Sequence, residues 1–166
     1  MRPVLITCAS VAVVAFISAP LVAQPQVELD RIVTTVNNRI ITESDVRQAR
    51  TLHLVEDVSS DDAVRSALEE RILVLGEISR APAVVVADGD VTARRAAWET
   101  RAGGAGRAAT LVGESGMSDA ALDTWLRDDA RIHAYLERQF SVVPEADRGR
   151  ATAEWVLRLR QRAGMR

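Results

Sequence analysis

Residues 31–50 read RIVTTVNNRIITESDVRQAR, and this stretch decides the fold. Ile32, Val33 and Val36 are β-branched strand formers, and Ile40 and Ile41 supply a return strand. Asn37 and Asn38 between them tolerate the positive φ values that a two-residue hairpin turn demands. Thr42 then opens a helix. Its hydroxyl can accept from the backbone N–H three residues on, where Asp45 stands. This is an Asp variant of the capping box, and its acidic first turn also suits the helix dipole.

Everything downstream reads as helix. Ser59 or Ser60 caps a helix over 61–80 with Val64, Ala67, Leu68, Ile72, Leu75 and Ile78 on one stripe, while Leu73 and Val74 widen the apolar surface around the axis. A stripe that wide predicts a central, nearly surrounded helix. Pro82 ends it, residues 84–86 form an extended connection, and Asp88 or Asp90 starts a helix through Trp98 to about residue 101. The Gly103-Gly104-Ala105-Gly106 run is a flexible break. It follows a helix rather than a strand and lacks the Lys and Ser or Thr of a P-loop, so it is no phosphate cradle. A shorter helix over 107–114 closes on Gly116 as a left-handed cap. Ser118 and Asp119 start the next, over 119–140, with Leu122, Trp125, Leu126, Ile132, Leu136 and Phe140 at helical spacing. Residues 141–150, SVVPEADRGR, are polar, contain Pro144 and Gly149, and read as a linker. A last helix over 151–162 puts Trp155, Val156 and Leu159 on one face with Arg158 and Arg162 beside it.

The first 23 residues read as an export leader. Arg2 makes a short basic start, the run from Val4 to Val22 is almost wholly apolar and uncharged, and Ala19 and Ala23 offer small processing residues. Cleavage after Ala23 is expected, although Leu21 stands where a smaller residue is preferred. An uncleaved anchor helix is the rival reading, because about 20 apolar residues can span a bilayer. Cys8 sits too early in the apolar run to be a lipid attachment site.

Without the leader, 20 arginines face 23 acidic residues, a net charge of about −3, and no cysteine remains. Neither a disulfide nor a thiolate metal site is then possible. All 21 basic residues of the whole chain are arginine, and they are spread among acids rather than clustered, which argues against nucleic acid as a partner. A single domain of this size can bury an independent core.

The opening stretch resembles the start of the N-terminal domain of the SurA family of periplasmic chaperones and parvulin-type prolyl isomerases. The family pattern falls on Val36-Asn37-Asn38, Ile40, Ile41 and Ser44-Asp45-Val46, and the resemblance continues over 63–81 and 117–140. It implies a mainly helical chaperone domain over 24–140 with a short N-terminal β-hairpin. Family members carry one or two parvulin domains between the long helix and a C-terminal segment that returns to the body. Here ten residues, 141–150, stand in their place, and the segment 151–166 resembles the returning helix. The chain thus looks like the chaperone body with its isomerase excised.

An inventory of reactive groups agrees with that reading. His53 and His133 fall on two different predicted helices, with no parvulin motif and no nearby histidine to make a metal pair. Ser44, Ser66 and Ser115 lack a nucleophile elbow. Asp61-Asp62 and Glu69-Glu70 read as solvated helix charge. No enzyme, cofactor or metal is expected.

What the resemblance implies is an ATP-independent periplasmic holdase for unfolded exported or outer-membrane polypeptides, acting through apolar helix surfaces. The large amphipathic groups available for client binding are Trp98, Trp125, Tyr135, Phe140 and Trp155. All lie at helical-stripe positions, and only 4% of residues are aromatic, so core packing competes for each of them. The alternative is a non-catalytic adaptor that binds one envelope partner or self-associates by exchanging its C-terminal helix across the linker. Neither reading involves stable membrane insertion once the leader is removed.

Overall fold

The computed structural model describes residues 30–56 and 58–165. The expected leader, its processing site and Cys8 lie outside the described residues. Two strands, β1 (Ile32–Val36) and β2 (Arg39–Thr42), form an antiparallel pair, followed by six helices: α1 (Glu43–Thr51), α2 (Asp61–Arg80), α3 (Asp88–Arg101), α4 (Ala105–Ser115), α5 (Asp119–Gln139) and α6 (Glu145–Arg162). The fold is mainly helical with a short N-terminal hairpin, as the sequence predicts.

The local chemistry of the opening stretch is as expected. Asn37 and Asn38 adopt φ of 48° and 63°, so both central residues of the turn are left-handed. The Asp45 N–H donates to Thr42 Oγ1 at 3.3 Å, and the Thr42 N–H donates to Asp45 Oδ2 at 2.9 Å, completing the capping box. Ser60 and Ser118 cap α2 and α5 through the N–H groups of Ala63 and Ala121. Ala81, before Pro82, is extended and ends α2. Gly116 closes α4 at φ 71°.

Helix α2 is the spine. Its first half contributes Val64 and Leu68 to one core, shared with Ile41, Leu52, Trp98, Leu111, Leu122 and Leu126. Its second half contributes Leu73, Val74 and Ile78 to another, shared with Val36, Tyr135 and Leu159. Serving two cores on different sides is what widens the apolar stripe. The hairpin reaches both clusters, through Ile41 and Val36, and so joins the N-terminal stretch to the core that α6 covers.

Two connections differ from expectation. The stretch 141–150 is not a ten-residue linker: α6 starts at Glu145, leaving a turn over 141–144. Pro144, read as a breaker, stands at the N-cap with φ −52°, a position where its fixed geometry starts a helix. Glu145 and Asp147 then supply an acidic first turn, and Arg150 pairs with Asp147 and Glu154, each at 3.1 Å. Ala105 and Gly106 likewise belong to α4 rather than to the glycine break, which shrinks to Gly103 and Gly104.

Candidate binding groove

The tail of the hairpin, the first turns of α1, the middle of α2 and the first half of α5 do not close on one another. They leave an open groove of about 260 Å³. Ile40, Ile41, Ala49, Leu54, Leu68, Ile72, Leu75, Met117, Ala121 and Trp125 form its apolar lining, and Arg39, Asp45, Gln48, Arg71, Thr124 and Asp128 its polar one. Ile40 is 53% exposed, although strand β2 also sends Ile41 into the core at 2%. That split follows from the alternation of side chains along a strand.

Arg71 organises one wall. Its side chain is 11% exposed, its Nη2 donates to the Trp125 carbonyl at 2.7 Å, and its Nη1 pairs with Asp129 Oδ1 at 3.3 Å. The guanidinium carbon sits 3.8 Å from the centre of the Trp125 ring, a cation–π stack that fixes the indole on α5 against α2. Burial pushes the Arg71 guanidinium below its ordinary value, while Asp129 and Asp128 pull the other way and Arg39 adds a like charge. Asp128 is itself held by Arg131 at 3.1 Å. Among the described residues Arg39 has no partner, so one cation of the lining is left for an incoming group.

Of the five aromatic candidates, the structure brings Trp125 alone to this groove. Trp98 is 2% exposed and donates its indole N–H to the Leu52 carbonyl at 2.6 Å, so its polar edge and its face are both used inside the protein. Tyr135 and Phe140 are each 8% exposed and pack on Trp155 with ring centres 5.9 and 6.2 Å apart. These three are buried, in the core role that competes for each of them. Trp155 is half-buried at the edge of α6, beside Arg158, Gln161 and Arg162.

A larger hollow of about 580 Å³ lies between the hairpin, α1 and the start of α2. Its rim charges are mostly paired with each other, Arg31 with Glu43 at 3.1 Å and Arg50 with Asp61 at 2.8 Å, which makes it a solvated ion-pair surface. His133 is exposed beside Glu137, and His53 lies in the turn after α1 at φ 49° rather than on a helix. Glu69 departs from the solvated reading: it is 8% exposed and faces Arg160 of α6. Sequence patterning singled out Arg158 and Arg162 on that helix and missed Arg160, whose partners lie some 90 residues away in the chain. No family model, no curated protein and no solved structure matches the chain.

Proposed function

We propose that this protein is an ATP-independent chaperone of the cell envelope, a holdase that shields unfolded exported polypeptides, outer-membrane proteins among them. The observation that carries the proposal is the apolar groove between β2, α2 and α5, with Ile40 exposed at its lip and Trp125 braced in its wall. Its volume, about 260 Å³, lies below the roughly 300–1,000 Å³ of small-molecule sites. Such a groove suits one or two apolar side chains of a longer polypeptide. Among the described residues strand β2 pairs only with β1, so its second edge can take an extended segment by main-chain hydrogen bonding while alternate side chains drop into the groove. Met117 and Trp125 add polarizable and amphipathic contacts that adapt to different side chains. Binding of this kind is weak, tolerant of sequence and independent of nucleotide.

The resemblance of residues 31–50 to the SurA family supports the same reading and, with the expected leader, a periplasmic location. The test is crosslinking in the cell envelope to newly exported proteins. Recovery of many outer-membrane polypeptides is expected; a single recurrent partner would favour the adaptor instead.

A further inference from the structure

We infer that α6 is an exchangeable element: the α6 of one chain can take the same seat on the α2 of a second copy, giving a closed, helix-swapped dimer. This inference is independent of the groove and of the holdase proposal.

Of the 18 residues of helix α6, Leu159 is buried, and Trp155 and Val156 are half-buried against the same core. Much of its hold on the body is polar. Arg160 reaches Glu69 at 3.6 Å and Glu70 at 3.5 Å and donates to Ser66 Oγ at 3.2 Å, and Arg162 reaches Glu77 at 3.4 Å. A mostly desolvated ion pair contributes little net stability, because separation returns both groups to water. The apolar surface beneath cannot stay open, however. Lifting α6 uncovers Val36, Leu73, Val74 and Ile78, and a helix of different sequence would leave Glu69 facing no cation. The occupant that restores both the apolar cover and the Arg160 contacts is a second α6.

The connection is built for that change. Only residues 140–144 separate α5 from α6, Val142 is 91% exposed, and the backbone bonds within the turn are local, Val143 N–H to the Phe140 carbonyl at 3.0 Å and Ser141 N–H to the Arg138 carbonyl at 3.4 Å. Straightening the turn gives up those bonds and the one from Arg148 Nε to the Val143 carbonyl at 3.1 Å, while the contacts of α6 with α2 re-form in the partner. Short connections of this sort favour exchange.

Charge reversal provides the test. Arg160→Glu and Glu69→Arg each place like charges between α2 and α6 of one chain. Mixing the two variants lets each α6 find an opposite charge on the other chain's α2, one contact inverted and one native. Analytical ultracentrifugation of the equimolar mixture is expected to show a species of twice the chain mass, while the double variant in a single chain behaves as wild type. A mixture that stays at monomer mass overturns the inference. Deleting Val142 and Val143 gives a second arm that removes turn residues only, at the cost of the hydrogen bond from Arg148 Nε to the Val143 carbonyl. This chain is expected to be dimeric at micromolar concentration, and monomer mass, folded or unfolded, contradicts exchange. The holdase proposal is read separately by suppression of client aggregation, which can fail or succeed whatever the mass.

Discussion

The guanidinium of Arg71 lies 3.8 Å from the centre of the Trp125 ring and donates to the carbonyl of the same residue at 2.7 Å, so one side chain of α2 holds both the ring and the backbone of α5. Removing it leaves the Asp129 carboxylate without its cation and frees the Trp125 ring in a half-buried wall. Arg71→Ala is expected to cost about 2–3 kcal/mol. Arg71→Lys keeps the charge but loses the planar fork and the stack, and is expected to recover less than half of that. Urea denaturation gives both values, and wild-type stability of Arg71→Lys would show that charge alone matters.

Trp98 makes a parallel case in the core. Trp98→Phe keeps an aromatic ring but removes the N–H that satisfies the buried Leu52 carbonyl, at an expected cost of about 1–3 kcal/mol. A loss under half a kcal/mol would mean that water reaches the Leu52 carbonyl.

Gly76 sits in the middle of α2, where glycine costs roughly 1 kcal/mol relative to alanine. A Cβ there would stand 3.1 Å from Asn37 Nδ2, the far end of an exposed side chain at the hairpin turn. Because that amide can rotate away, Gly76→Ala is expected to raise stability by up to about 1 kcal/mol. Destabilisation would show that the Asn37 amide is fixed.

Asp30 gives a pH signature. The Ser44 hydroxyl holds its carboxyl below the ordinary carboxylate value, with Thr42 and the Ser44 backbone adding to the effect. A carboxyl depressed in the folded state stabilises above its unfolded value and loses that contribution as pH falls through the folded one. The urea midpoints of wild type and Asp30→Asn should therefore differ by a constant amount at pH values above the ordinary carboxylate range and converge as pH falls below it. A difference that grows on acidification contradicts the assignment.

How much of this was legible beforehand differs by scale. The hairpin turn, the Thr42 capping box and the Gly116 cap are written in adjacent residues, and such local chemistry is readable because its partners are three or four positions apart. The start of α6 is masked in the sequence because Pro144 and Gly149 have the chemistry of breakers, although proline at a first turn begins a helix and the pairing of Arg150 with Asp147 and Glu154 sustains one. The groove and the α6 seat were not legible. Ile40 and Trp125 line one groove, and Glu69 meets Arg160, across long stretches of chain, and nothing in either local pattern marks its partner. Aromatic content named five candidates, but only packing separates Trp125 at a wall from Trp98 in the core.

The central claim is that unfolded polypeptides dock at the lip of the groove. Its most direct test places a photo-activated crosslinker at Ile40, with Leu157 on α6 as control, since the two are exposed to similar degrees, 53% and 55%. On illumination with an unfolded outer-membrane polypeptide, crosslinking from position 40 is expected to exceed that from position 157 at least tenfold, and to fall when a competing apolar peptide is added. Equal labelling from both positions, or none from position 40, would contradict it.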